Sequence, residues 1–130
     1  MSIRIEDFQC EGILPILEAF PSYKSAIQFV MAFRPSFIKS PENRALQNHF
    51  IEHVIEEDGT EKWRLDGLFH RDFGLPAKIV YYKNGQISSE EWYQNGELHR
   101  IDGPASIQYR QNGEIRYKAW YQNGLCYHNE

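Results

Sequence analysis

Two His-Arg pairs, His70-Arg71 and His99-Arg100, each with an aspartate close behind (Asp72, Asp102), carry the side chains whose types and spacing could do chemistry. A recurring histidine invites a metal. Zinc needs donor nitrogens within ~2.1 Å and four ligands in a structural site. Equivalent residues of successive β-hairpins would stand about 9.5 Å apart, because neighbouring strands are spaced ~4.8 Å. No cysteine or third ligand recurs with the histidines, so the spacing argues against a metal, and no cofactor is expected. An enzyme would need a nucleophile beside its base, a carboxylate pair in a cleft, or a phosphate loop. The chain has no Gly-rich phosphate motif and no GxSxG, and Asp66, Asp72 and Asp102 all fall in repeating loops. No catalytic residue is therefore assigned. The simpler reading is structural: His-Arg-x-Asp-Gly holds a long loop, with the aspartate accepting hydrogen bonds and the glycine supplying a positive φ.

The elements that must position these residues come from a repeat. Trp92-Tyr93-Gln94-Asn95-Gly96 returns as Trp120-Tyr121-Gln122-Asn123-Gly124, 28 positions later. Trp63, Trp92 and Trp120 each precede a glycine by four positions. After the first two come His70-Arg71 and His99-Arg100, then Gly74-Leu75-Pro76-Ala77 and Gly103-Pro104-Ala105, then Asn84-Gly85 and Asn112-Gly113. The first unit is 29 residues long, through the insertion of Leu75, and the second is 28. Self-similarity at fixed spacing is the signature of a stacked architecture.

Asn-Gly between β-prone runs predicts hairpins. A three-residue loop at Gln111-Asn112-Gly113, with glycine in the left-handed position, pairs Tyr109 with Ile115, Ile107 with Tyr117, Ala105 with Ala119 and Arg110 with Glu114. The same loop one unit earlier pairs Tyr81 with Ile87 and Lys78 with Glu90. This register lines one face with Ile79, Tyr81, Ile87, Ile107, Tyr109, Ile115, Tyr117 and Tyr121. The other face mixes Lys78, Glu90, Arg110, Arg116 and Lys118 with Trp92 and Trp120.

Ahead of the repeats, residues 1–48 read as a helical cap. Tyr23, Ala26, Ile27, Val30 and Met31 fall at i, i+3, i+4, i+7 and i+8, one stripe of an amphipathic helix. Pro35 ends that helix. Ser40-Pro41-Glu42 starts another, and a shorter one is expected over Ile13 to Ala19. Residues 49–130 form the β part, opening with a hairpin at Asp58-Gly59. The expected fold is α+β: a short N-terminal helical cap followed by a single-layer antiparallel β-meander of about six strands.

Composition excludes some partners. The net charge is −4, and the repeat half, residues 61–130, carries 9 Lys/Arg against 9 Asp/Glu. A neutral surface is poorly suited to neutralising phosphates or to a polybasic membrane contact. Twelve of the 19 aromatics follow residue 60. They read as a cross-strand ladder; the alternative is an aromatic face that takes single-stranded nucleic acid or a lipid surface. Cys10 and Cys126 stand apart and read as free thiols of a reducing compartment. No secretion signal or spanning segment is visible, which implies an intracellular, non-secreted protein.

On the residues quoted above, the chain resembles the MORN-like repeats, in the long W-Y-x-N-G-x-x-H-R-x-D-G-P-A-x-x-x-Y-x-N-G variant found in giant DNA viruses of amoebae. The likeness covers about residues 61–128 and departs at Phe73 and Leu75, where Asp-Gly-Pro becomes Phe-Gly-Leu-Pro. It implies a viral scaffold or binding surface acting in the host cytoplasm or nucleus. Its repeat-defining loop residues are His70, Arg71, His99, Arg100, Asp102, Gly103 and Pro104. It also implies protein assembly or dimerisation, and Leu14-Pro15 gives a faint echo of an F-box-like segment. The third unit breaks off before its Gly-Pro-Ala, so Glu114 to Tyr121 is expected to be an unpaired edge strand. Ile115, Tyr117, Trp120 and Tyr121 on that edge are the candidate contact residues, for a homodimer or for a strand from another protein.

Overall fold

The computed structural model describes residues 20–130, so the expected helix over Ile13 to Ala19, the Leu14-Pro15 segment and Cys10 lie outside the described residues. The chain divides into a helical unit ending at Phe50 and a β unit beginning at Ile51.

In the helical unit, α1 (Tyr23–Phe33) begins at Ser22, whose hydroxyl oxygen accepts from the Ser25 N–H at 3.2 Å. It ends where Pro35 forces it to: Arg34 leaves the helical region, at φ −140° and ψ 79°. A 3₁₀ turn (Pro35–Lys39) leads into α2 (Pro41–Phe50). The predicted stripe is the buried one. Ala26, Ile27 and Val30 pack with Phe37 and Leu46, while Tyr23 and Met31 close around them. Buried Asn43 stays hydrogen-bonded, accepting from Tyr23 Oη at 2.9 Å and donating to the Ile38 carbonyl at 2.9 Å.

The β unit is an antiparallel meander. Its strands are β1 (Ile51–Ile55), β2 (Glu61–Leu65), β3 (Leu68–Phe69), β4 (Lys78–Tyr81), β5 (Ile87–Glu91), β6 (Tyr93–Gln94), β7 (Glu97–Leu98), β8 (Ser106–Tyr109), β9 (Ile115–Gln122) and β10 (Leu125–Asn129). The order is β1-β2-β4-β5-β8-β9-β10, with β3 beside β2 and β6–β7 as a separate small ribbon. One dipeptide makes two kinds of turn. At Asn112-Gly113 the loop has three residues: Arg110 N–H bonds the Glu114 carbonyl at 2.7 Å, Gly113 sits at φ 89°, and Asn112 Oδ1 accepts from Glu114 N–H at 3.0 Å. Asp58-Gly59 and Asn84-Gly85 repeat this pattern. At Asn95-Gly96 both residues have positive φ, 52° and 83°, and the loop has two residues, joining Gln94 to its partner Glu97. That is the mirror-image turn whose twist matches a tight hairpin.

The expected register holds next to the three-residue loops and fails beyond them. Tyr81 pairs with Ile87 and Tyr109 with Ile115. Then Ser88 and Arg116 are each left over as the extra residue of a β-bulge. Ile107 consequently faces Lys118 rather than Tyr117, Ser106 rather than Ala105 faces Ala119, and Lys78 faces Glu91 rather than Glu90. Because side chains alternate, the slip carries Glu90 and Lys118 onto the face of Ile79 and Ile107, and sends Tyr117 to the other. The polar newcomers are accommodated: Tyr109 Oη donates to Glu90 Oε1 at 2.6 Å, as Tyr81 Oη does to Glu61 Oε2 on the neighbouring strand, and Lys118 Nζ lies 3.3 Å from Glu130 Oε2.

A second correction concerns the edge. Glu114 to Tyr121 is not an unpaired outer strand. The tight turn at Asn123-Gly124 folds the chain back, so β10 pairs Trp120 with His128 and Tyr121 with Cys126. The meander therefore has seven strands in sequence, and β10 is the outermost.

Candidate functional site

Successive repeats meet at a junction that the chain builds twice. The tight turn after each tryptophan folds the His-Arg pair back on its own strand, so that His70 N–H bonds the Trp63 carbonyl at 3.0 Å and His99 N–H the Trp92 carbonyl at 2.9 Å. The histidine then faces the tight turn of the next repeat. His70 Nδ1 accepts from Asn95 N–H at 3.1 Å, and His99 Nδ1 from Asn123 N–H at 3.0 Å. Beside these bonds, Gly96 and Gly124 N–H donate to the carbonyls of Phe69 and Leu98, at 2.8 and 2.9 Å. The histidine is thus a latch on a left-handed asparagine whose N–H would otherwise have no strand partner.

That bond has a chemical consequence. An Nδ1 that accepts a hydrogen bond leaves the proton of neutral imidazole on Nε2, and a protonated nitrogen is not a metal donor. Among the described residues, no group of three or more His, Cys, Asp or Glu is placed to hold an ion. The surroundings of the two histidines differ. His70 is 2 % exposed, with its Nε2 3.4 Å from Asp72 Oδ1 but not hydrogen-bonded to it. Asp102 instead turns outward, 77 % exposed, and accepts from Arg100 Nε at 3.3 Å.

The arginines complete the junction. Arg71 Cζ lies 3.7 Å from the centre of the Trp63 ring and Arg100 Cζ 4.0 Å from that of Trp92, each a cation–π contact. Their Nη1 groups donate to the Pro76 and Pro104 carbonyls, both at 3.1 Å. Burial lowers the Arg71 pKa from its ordinary value, with Glu61 opposing. Gly103 departs from the role expected of it. Its φ is not in the left-handed region; a Cβ there would come within 3.0 Å of Arg100 Cζ, so the position needs space. His70, Arg71, His99, Arg100, Asp102, Gly103 and Pro104 lie between strands; the inter-repeat partners of the histidines, Asn95 and Asn123, were not among the expected site residues. The usable signal was the Asn-Gly that follows Trp92 and Trp120, Asn95-Gly96 and Asn123-Gly124, itself a hairpin turn.

The four candidate edge residues are divided. Trp120 and Tyr121 are covered by β10, and Trp120 faces the His128 ring at 4.8 Å. Ile115 and Tyr117 lie beyond the reach of β10, whose pairing ends where Lys118 and Glu130 exchange backbone bonds of 3.0 and 2.8 Å. Ile115 is 51 % exposed. All five residues of β10 are exposed, Leu125 at 75 % and Tyr127 at 57 %, and Cys126 is an exposed free thiol. Tyr127 is the extra residue of a bulge between Cys126 and His128.

Among the described residues no helix is long and apolar enough to cross a membrane. No protein-family model, curated protein or solved structure matches the chain.

Proposed function

We propose that the chain is a non-enzymatic, MORN-like interaction protein that self-associates through the C-terminal end of its sheet. The supporting observation is the exposed apolar set at that end: Leu125 and Tyr127 on β10, and Ile115 on the stretch of β9 that β10 leaves uncovered. An outermost strand offers unpaired backbone groups to another chain. The bulge at Tyr127 interrupts a long continuous ladder, so side-chain packing supplies much of the contact. A two-fold arrangement satisfies both copies at once. By its resemblance the protein belongs to a giant virus of amoebae and works inside the host cell; a partner protein adding a strand at the same edge is the related use.

The aromatic-face alternative gains no support. Trp63 and Trp92 are buried and covered by arginines, and Tyr81 and Tyr109 are tied to carboxylates, so these rings are engaged within the sheet.

Light scattering on the chain at tens of micromolar is expected to give twice the 15.4 kDa protomer mass. Tyr127→Lys with Ile115→Lys is expected to return it to the protomer mass with unchanged circular dichroism. A protomer mass for the unaltered chain overturns self-association.

A further inference from the structure

The two bulges do more than shift the register. Each interrupts the alternation of side chains, so that neighbours along one strand turn toward the same side. The result is a groove of about 190 Å³ between successive hairpins, lined by Tyr82, Ser88, Ser89, Gln108, Tyr109 and Arg116. Its shape has an identifiable cause. Small serines stand at the first bulge and its neighbour, and the arginine stands at the equivalent bulge one repeat later. The aromatic wall is fixed, because Tyr82 Oη donates to the Tyr109 carbonyl at 2.7 Å.

The chemistry of the lining is one-sided. Two hydroxyls, one carboxamide and one guanidinium offer donors, and no carboxylate is among the lining residues. Arg116 forms no ion pair among the described residues. The two acids of β5 are engaged elsewhere. Glu90 lies on the opposite face, between Ile79 and Ile107, holding the Tyr109 hydroxyl. Glu91 is 3.9 Å from Lys78 Nζ and accepts from Tyr93 Oη at 2.8 Å. A chain of net charge −4 thus keeps a concave spot with one uncompensated positive charge.

We propose that this groove seats a small oxyanion, a phosphate monoester or a carboxylate, with Arg116 supplying the counter-charge and Ser88, Ser89 and Gln108 the remaining donors. A guanidinium fork matches the paired oxygens of either group.

The test is an amide NMR titration of the full chain with inorganic phosphate and, separately, with acetate, each to on the order of 10 mM, well above a millimolar dissociation constant. Saturable shifts centred on Ser88, Ser89, Gln108 and Arg116 are expected with at least one of them. A response to phosphate alone identifies a phosphate-bearing ligand, to acetate alone a carboxylate, and to both the shared oxyanion chemistry. Arg116→Gln is expected to weaken the binding at least about tenfold, and Arg110→Gln, outside the groove, to leave it unchanged. Ser88→Val, which narrows the groove and removes a donor without touching the charge, provides an independent variant should Arg116→Gln disturb the sheet. No groove-centred response to either anion, or binding in both Arg116→Gln and Ser88→Val as strong as in the unaltered chain, overturns the proposal.

Discussion

The junction between the first and second repeats and the junction between the second and third use the same contacts and differ in what surrounds them. Histidine to asparagine N–H is 3.1 Å in one and 3.0 Å in the other, and arginine to proline carbonyl is 3.1 Å in both. Yet His70 is buried beside Asp72, whereas His99 is half-buried and Asp102 stands in solvent. The first junction also gains two side-chain bonds: Trp92 Nε1 donates to the Gly74 carbonyl at 2.9 Å, and Gln94 Nε2 to the Arg71 carbonyl at 2.8 Å. A repeated motif therefore repeats its backbone bonds faithfully and its energetics less so. Where the aspartate falls one residue earlier, it turns inward beside the histidine instead of outward to the arginine.

The comparison is sharpest at the histidines. His70→Ala empties the volume of a fully buried ring beside the half-buried Asp72 and removes the acceptor for Asn95 N–H, a loss of about 3 kcal/mol. His99→Ala removes the same kind of acceptor near the surface, where water substitutes, and costs about 1 kcal/mol. Urea unfolding with unchanged slopes reads the difference, and equal losses would show that burial does not separate the two junctions.

A smaller effect belongs to the crowding at Gly103, a feature the first junction lacks because nothing lies within 4 Å of a Cβ at Gly74. The guanidinium cannot yield without loosening its bonds to Pro104 and Trp92, so Gly103→Ala is expected to cost about 1 kcal/mol. In an Arg100→Ala background the same change should cost nearly nothing, since the obstructing group is gone. Additivity in that double-mutant cycle would remove Arg100 as the reason for glycine at 103.

The smallest effect is visible only at high pH and contrasts the two hairpins. Burial, reinforced by the hydrogen bond to Glu90, pushes the Tyr109 phenol up to about 12. Tyr81 is raised first by its bond to Glu61 and only then by burial. A phenol raised in the folded state contributes stability that is complete below its ordinary value of 10 and is lost as pH rises toward 12. Denaturation midpoints should therefore fall across that window, and Tyr109→Phe should flatten the fall more than Tyr81→Phe. An identical alkaline slope in both variants would place the sensitivity elsewhere.

Much of the fold was legible without coordinates, for reasons that are local. Pro35 acts on its own neighbour, so the end of α1 follows from residue type. The three-residue loop at Asn112-Gly113 follows from the side-chain acceptor and the positive φ that dipeptide supplies. The site was legible as a set of loop residues and not as a set of contacts. His70 and its partner Asn95 are 25 positions apart, and no rule of spacing joins them.

What the chain determined by itself is the repeat length, the turn positions and the helix boundaries, because backbone preferences and short hydrogen bonds act within a few residues. The tertiary structure alone decided the bulges at Ser88 and Arg116, the faces that follow from them, and β10 rather than β9 as the outermost strand. A one-residue slip is nearly neutral within one strand. Its consequences appear only when neighbouring strands bring Tyr109 to Glu90 and Tyr81 to Glu61, so non-local partners settle the register.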